Sequence, residues 1–153
     1  MPSPGTPTQK IPLLYRIFFL YYEPLSAFNG ALLCHMNAPM FLRTMSSTAI
    51  YTPSHQVIFD QLAATYLLFA FNEAVVLRLT HDLKVWKAMV LGILLCDLVH
   101  LYGSWAELGT DMFFNPILWR WEDAINLGML WSGVVIRVLF LMGVGFQGKG
   151  KKA

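Results

Sequence analysis

The sequence predicts an all-α fold, a polytopic membrane protein built as a bundle of four transmembrane helices. Of the 153 residues, 56% are hydrophobic and only 13% are charged, where a soluble domain carries about 25% charged residues. Mean hydropathy is +0.52. Four apolar blocks, about Ile11 to Leu33, Val57 to Leu79, Val85 to Trp105 and Ile117 to Phe146, each approach the ~20 residues that cross ~30 Å of hydrocarbon. The expected organisation is a short tail over residues 1–10, one transmembrane domain over 11–146, and a basic tail over 147–153. A lipid bilayer is the expected surroundings, and no nucleic-acid partner is expected.

Cys34 and Cys96 lie far apart and give neither a disulfide framework nor metal-ligand spacing, so no metal or cofactor is expected. The first apolar block is too long for a cleaved signal peptide and carries Arg16 and Glu23. It is expected to stay on the mature chain, behind the Pro/Ser/Thr-rich stretch Met1 to Gln9.

Cations set the expected orientation. Lys10 and Arg16 precede or open helix one, Arg78, Lys84 and Lys87 join helices two and three, and Lys149, Lys151 and Lys152 close the chain. The other two connections hold only Arg43 between Cys34 and Gln56, and no cation between Glu107 and Pro116. Both termini are therefore expected in the cytosol. The ending Lys149-Gly150-Lys151-Lys152-Ala153 resembles a cytosolic dilysine retrieval signal of the endoplasmic reticulum; a plain basic tail near anionic lipid is the other reading.

In helix one, Glu23 falls near the midpoint and is followed by Pro24. Proline removes a donor and frees a carbonyl one turn earlier, so a kink is expected, with the backbone satisfied by neighbouring groups. A carboxylate at a kink is well placed to line a cavity; a Glu23 paired with an arginine is the alternative. The connection from Cys34 to Gln56 holds Pro39, Pro53, His35, His55 and an apolar Met40-Phe41-Leu42. Long connections of this kind are either lids or surface segments, and its histidines are read as solvated.

Helix two carries Gln61, Thr65, Leu68 and Asn72 on one stripe and Tyr66 and Glu73, seven apart, on an adjacent one. Glu73 is deep enough that it must point inward, whereas Asp60 is read as a charge near the helix start. Helix three holds the centre of the sequence, Cys96-Asp97-Leu98-Val99-His100. Asp97 and His100 are spaced i, i+3 on one face, and Ser104 extends that face by a turn. An ionisable pair inside an apolar helix is expensive unless it meets protein or a wet cavity, so its default reading is functional; the alternative is an Asp–His tie between helices.

Helix four opens on the interface belt Trp119-Arg120-Trp121-Glu122-Asp123. Glu122, Asn126, Met129 and Gly133 then share a face with Arg137. Gly128, Ser132 and Gly133 are expected to admit a close helix neighbour. Arg137 is expected to pair with Glu73, the acid of comparable depth, in a structural ion pair.

Each helix thus brings an acid inward: Glu23, Glu73, Asp97 and Glu122, the candidate catalytic set with His100. Asn29, Gln61, Tyr66, Asn72, Ser104 and Asn126 are the candidate substrate-binding residues. Carboxyls crowded in a low-dielectric space cannot all ionise, so one should hold a proton near neutral pH while another stays charged. General acid and base chemistry needs that division. It suits protonation of an epoxide oxygen or an alkene in a lipophilic small molecule while a partner base activates water or an internal hydroxyl.

The run Tyr15 to Pro24, the segment Leu67-Leu68-Phe69-Ala70-Phe71-Asn72-Glu73-Ala74, the Asp97-Leu98-Val99-His100-Leu101-Tyr102 core and the helix from Trp121-Glu122 to Arg137 resemble a family of short four-helix fungal membrane proteins. The likeness covers about Pro12 to Gly145. Some members belong to polyketide clusters making polyene pyrones of the aurovertin and citreoviridin type, where they are assigned as hydrolases that open polyepoxides into cyclic ethers. The architecture is also similar to the sterol-isomerase-like EXPERA bundles and, more loosely, to membrane meroterpenoid cyclases, which protonate apolar substrates with intramembrane acids. The resemblance implies an epoxide hydrolase or epoxide-opening cyclase of the endoplasmic reticulum membrane. The reading kept beside it is a sterol- or lipid-binding bundle whose polar stripe only holds the helices together.

Overall fold

A computed structural model of the chain describes residues 10–146. Within them the fold is all-α, and its long helices are α1 (Leu13–Met36), α3 (Pro53–Leu79), α4 (Leu83–Phe113) and α5 (Trp121–Leu141), each long and apolar enough to cross a membrane. A short helix, α2 (Ala38–Met45), lies between α1 and α3. Lys10 and Phe146 bracket the described chain at one end of the bundle, here the terminal end; α2 and the α4–α5 connection lie at the distal end. The candidate retrieval signal at 149–153 lies outside the described residues.

Pro24 leaves α1 helical but changes its winding. Phe18–Tyr22 form a π-helical turn directly before it, a one-residue expansion of the helix. The Leu20 carbonyl, four residues before a proline with no N–H, accepts instead from Arg78 Nη2 at 2.7 Å. A neighbouring helix thus satisfies the freed backbone group, as a low-dielectric surrounding demands. α3 has its own π turn, Asn72–Val76, with Glu73 inside it. The two π turns pack against each other, so both deep glutamates sit at the same widened level.

Asn37 leaves helical geometry and ends α1, and its side chain accepts from the Met40 N–H to cap α2. Asp82 caps α4 by accepting from the Lys84 N–H at 2.8 Å. α4 runs past the Trp105 boundary expected of it, to Phe113, with a break at Gly109, whose φ of 76° is a conformation only glycine adopts freely. Between α4 and α5 a single 3₁₀ turn, Pro116–Leu118, occupies residues expected to open the last helix. α5 starts at Trp121, where the buried Asp123 receives Arg120 Nε at 2.8 Å and Nη2 at 2.6 Å. That forked pair satisfies a carboxylate near the helix N-terminus.

Three apolar clusters explain where space remains. At the terminal end Tyr15, Phe18, Phe19, Leu77, Trp86, Val90 and Phe140 draw all four long helices into one aromatic core. Toward the distal end the core divides. Ala31, Cys34, Phe41 and Ala63 join α1, α2 and α3, while Leu101, Phe113 and Leu127 join α4 to α5. The close helix approach expected at Gly128 is absent, since nothing lies within 4 Å of a Cβ there; it occurs at Gly30, whose Cβ position faces the Tyr66 ring at 3.6 Å. The four-helix bundle is therefore tight at one end and split at the other.

Candidate functional site

The split encloses a cavity of about 550 Å³ lined by α1, α2, α3, α4 and α5. Its walls are mainly apolar, with Phe41 and Met45 of α2 at the distal end and Phe69, Ile93 and Leu130 along the sides. Its floor, just above the aromatic core, is charged.

Arg137 organises that floor. Helical side chains lean toward the N-terminus of their helix, so Arg137 leans from α5 away from the terminal end. Its Nη1 donates to Asp97 Oδ2 at 2.6 Å, and its Nη2 donates to Glu23 Oε1. The guanidinium occupies the space that a Cβ on Gly133, one turn earlier, would fill. Gly133 therefore makes room chiefly for the arginine, with Glu23 of the neighbouring α1 also 3.7 Å from that Cβ position. Gly133→Ala is expected to push the guanidinium off both carboxylates and to destabilise the protein by about 1–3 kcal/mol, the usual penalty for overpacking. Thermal unfolding in detergent measures this, and an unchanged midpoint would show that the arginine has another resting place.

The expected Glu73–Arg137 pair is not formed; Arg137 takes Glu23 and Asp97. Equal depth was a poor guide, because an ion pair also needs the two helix faces to be turned toward each other. Glu73 instead lies beside Glu23 on the cavity floor, two carboxyls near enough to interact electrostatically. Glu23 Oε2, Glu73 Oε1 and Arg137 Nε are all buried without a hydrogen-bond partner. Buried polar atoms are nearly always satisfied, so this concentration of unpartnered atoms sets the floor apart from the rest of the bundle. Asp97 and Glu23 keep 12% and 15% of their side-chain surface accessible, whereas Arg137 is almost fully covered.

Seven of the residues singled out from sequence meet at this cavity: Glu23, Glu73, Asp97, His100, Asn29, Tyr66 and Asn126. His100 lines the wall one turn from Asp97 on α4, but Asp97 is oriented by Arg137 and not by this histidine. Four others lie elsewhere. Glu122 is buried at the distal end with its carboxylate 4.0 Å from Arg43. Gln61 is exposed, and its carbonyl accepts from the Thr65 hydroxyl at 3.2 Å. Asn72 is half-buried outside the lining, and Ser104 is buried one turn beyond His100. Of the two stripes on α3, Tyr66 and Glu73 both line the cavity, while the other contributes only Thr65. Asp60, read as a charge near the helix start, is held by His35 Nδ1 at 2.9 Å and accepts from Gln56 at 2.8 Å.

Sequence reasoning missed Arg137 and Ser26 as cavity residues. Ser26 is spaced i, i+3 from Glu23 and was findable on that ground. The glycine one turn before a deep arginine was the readable sign of a guanidinium folded along its own helix.

The chain matches a family model described as a domain of unknown function (DUF7704) over residues 8–147, and it belongs to that family. No curated protein and no solved structure matches it.

Proposed function

We propose that the chain is an intramembrane acid–base enzyme that opens epoxides in a lipophilic polyene polyketide, the reaction implied by its resemblance to the short fungal hydrolases. The observation that carries the reading is the set of orphaned polar atoms on Glu23, Glu73 and Arg137 at the floor of an apolar cavity. A proton held between the facing carboxyls of Glu23 and Glu73 is transferred to the epoxide oxygen as its carbon–oxygen bond breaks. Water, or a hydroxyl of the same substrate, attacks the carbon and passes its proton to Asp97, fixed by Arg137. Water yields a diol and an internal hydroxyl yields a cyclic ether. The proton on Asp97 then returns to the glutamate pair, with no cofactor consumed. His100, Tyr66 and Asn126 offer hydrogen bonds along the wall. The distribution of cations supports cytosolic termini, and the dilysine-like ending supports residence in the endoplasmic reticulum.

Microsomes carrying the protein and incubated with a polyene bis-epoxide in ¹⁸O-water test the reading. Diol carrying ¹⁸O, or a cyclic ether without it, is expected above the level of empty microsomes. A bundle in which Arg137 only braces Glu23 and Asp97 and the cavity stores a sterol or another lipid would bind the bis-epoxide and return it unchanged.

A further inference from the structure

The cavity is walled unevenly. Backbone packing is extensive between α1 and α3 and between α4 and α5, whereas α1 meets α5 through the Tyr15–Phe140 and Phe19–Phe140 ring pairs of the aromatic core, through the Glu23–Arg137 contact above it, and through α2 at the distal end. From the level of the ion pair up to α2, cavity-lining Tyr22 and Leu25 on α1 and Ile125 and Met129 on α5 are also exposed, Leu25 at 74% and Ile125 at 54%. Residues that belong to both an inner wall and an outer surface frame an opening. All four lie inside candidate membrane spans, so the opening faces acyl chains.

We infer that α1 and α5 frame a lateral window through which the cavity takes its ligand from the bilayer, an elongated lipophile that enters with one oxygen-bearing group leading. The Glu23–Arg137 clamp forms the sill and α2 the lintel, tied to α5 by Arg120 Nη2 donating to the Arg43 carbonyl at 3.3 Å. A leading oxygen reaches the orphaned polar atoms while the apolar remainder stays against Ile93, Phe69 and the lipid. The inference deepens the proposed function by naming the route and shape of the substrate, and it stands on the same cavity.

Cys96 lines the wall on α4, away from the window, and reports passage through it. In lipid nanodiscs, which expose both faces to water, neutral benzyl methanethiosulfonate is expected to modify Cys96, read by peptide mass, several-fold faster than charged sulfonatoethyl methanethiosulfonate. Met129→Trp should slow the neutral reagent several-fold, and Leu25→Trp should do the same from the other side. Val138→Trp, on α5 outside the window, should not. Equal rates for the two reagents, no modification of Cys96, or indifference to both window tryptophans would overturn the inference. Epoxide left intact while the labelling pattern holds would reject the reaction and leave the window standing.

Discussion

Arg137→Met is expected to cost the protein about 3–5 kcal/mol, the penalty for removing one partner of a buried ion pair, and to appear as loss of membrane-inserted protein. The reason is charge balance. Glu23, Asp97 and Glu73 surround a single guanidinium, and without it the carboxyls face one another across a low-dielectric floor. Adding Glu23→Gln and Asp97→Asn to the methionine variant removes that repulsion and should restore the protein level while leaving turnover absent. Normal accumulation of Arg137→Met with a selective loss of turnover would move Arg137 from brace to reacting group, for instance as the partner of a developing alkoxide.

The second large effect concerns turnover with the fold preserved. Asp97→Asn keeps an oxygen to accept from Arg137 while deleting the carboxylate, and Glu23→Gln does the same across the floor. Each should lower epoxide opening by ~10² to 10⁴-fold, the worth of a positioned proton-transfer group, with protein level little changed. Glu73→Gln belongs with them, since it removes the second carboxyl from the proton-holding pair. His100→Gln should cost less, because His100 lines the wall without orienting Asp97. Glu122→Gln, Asp60→Asn and Asp111→Asn lie outside the cavity and should leave turnover near that of the parent. Full activity in Asp97→Asn would remove the proposed base, and activity surviving both Asp97→Asn and Glu23→Gln would leave a binding protein.

Hydropathy and the cost of intramembrane charge made the four spans and the inward acids legible in the sequence. Glu23, Glu73 and Asp97 could be assigned to the interior because none could face lipid cheaply. Partner choice was not legible. Depth along a helix follows from counting residues, but the rotation that turns Arg137 toward Glu23 and Asp97 depends on packing between helices. The π turns at Phe18–Tyr22 and Asn72–Val76 compound this, since each adds a residue and shifts the stripe beyond it by roughly 100°. Glu122 misled differently: at the distal end a buried acid can find a cation from a connecting helix, Arg43, without joining any cavity.

The aromatic core beneath the clamp has a consequence for traffic. Phe19, Trp86 and Phe140 fill the bundle below the charged floor and are buried together, so the cavity is blind toward the terminal end. Entered through the proposed window, such a chamber exchanges its contents with a single leaflet, the distal one. Under the proposed reaction, reactant and product then arrive and leave by the same path, and a product that lingers in the doorway competes directly with the next molecule. Such a catalyst would work best where its product is drawn out of that leaflet as fast as it forms.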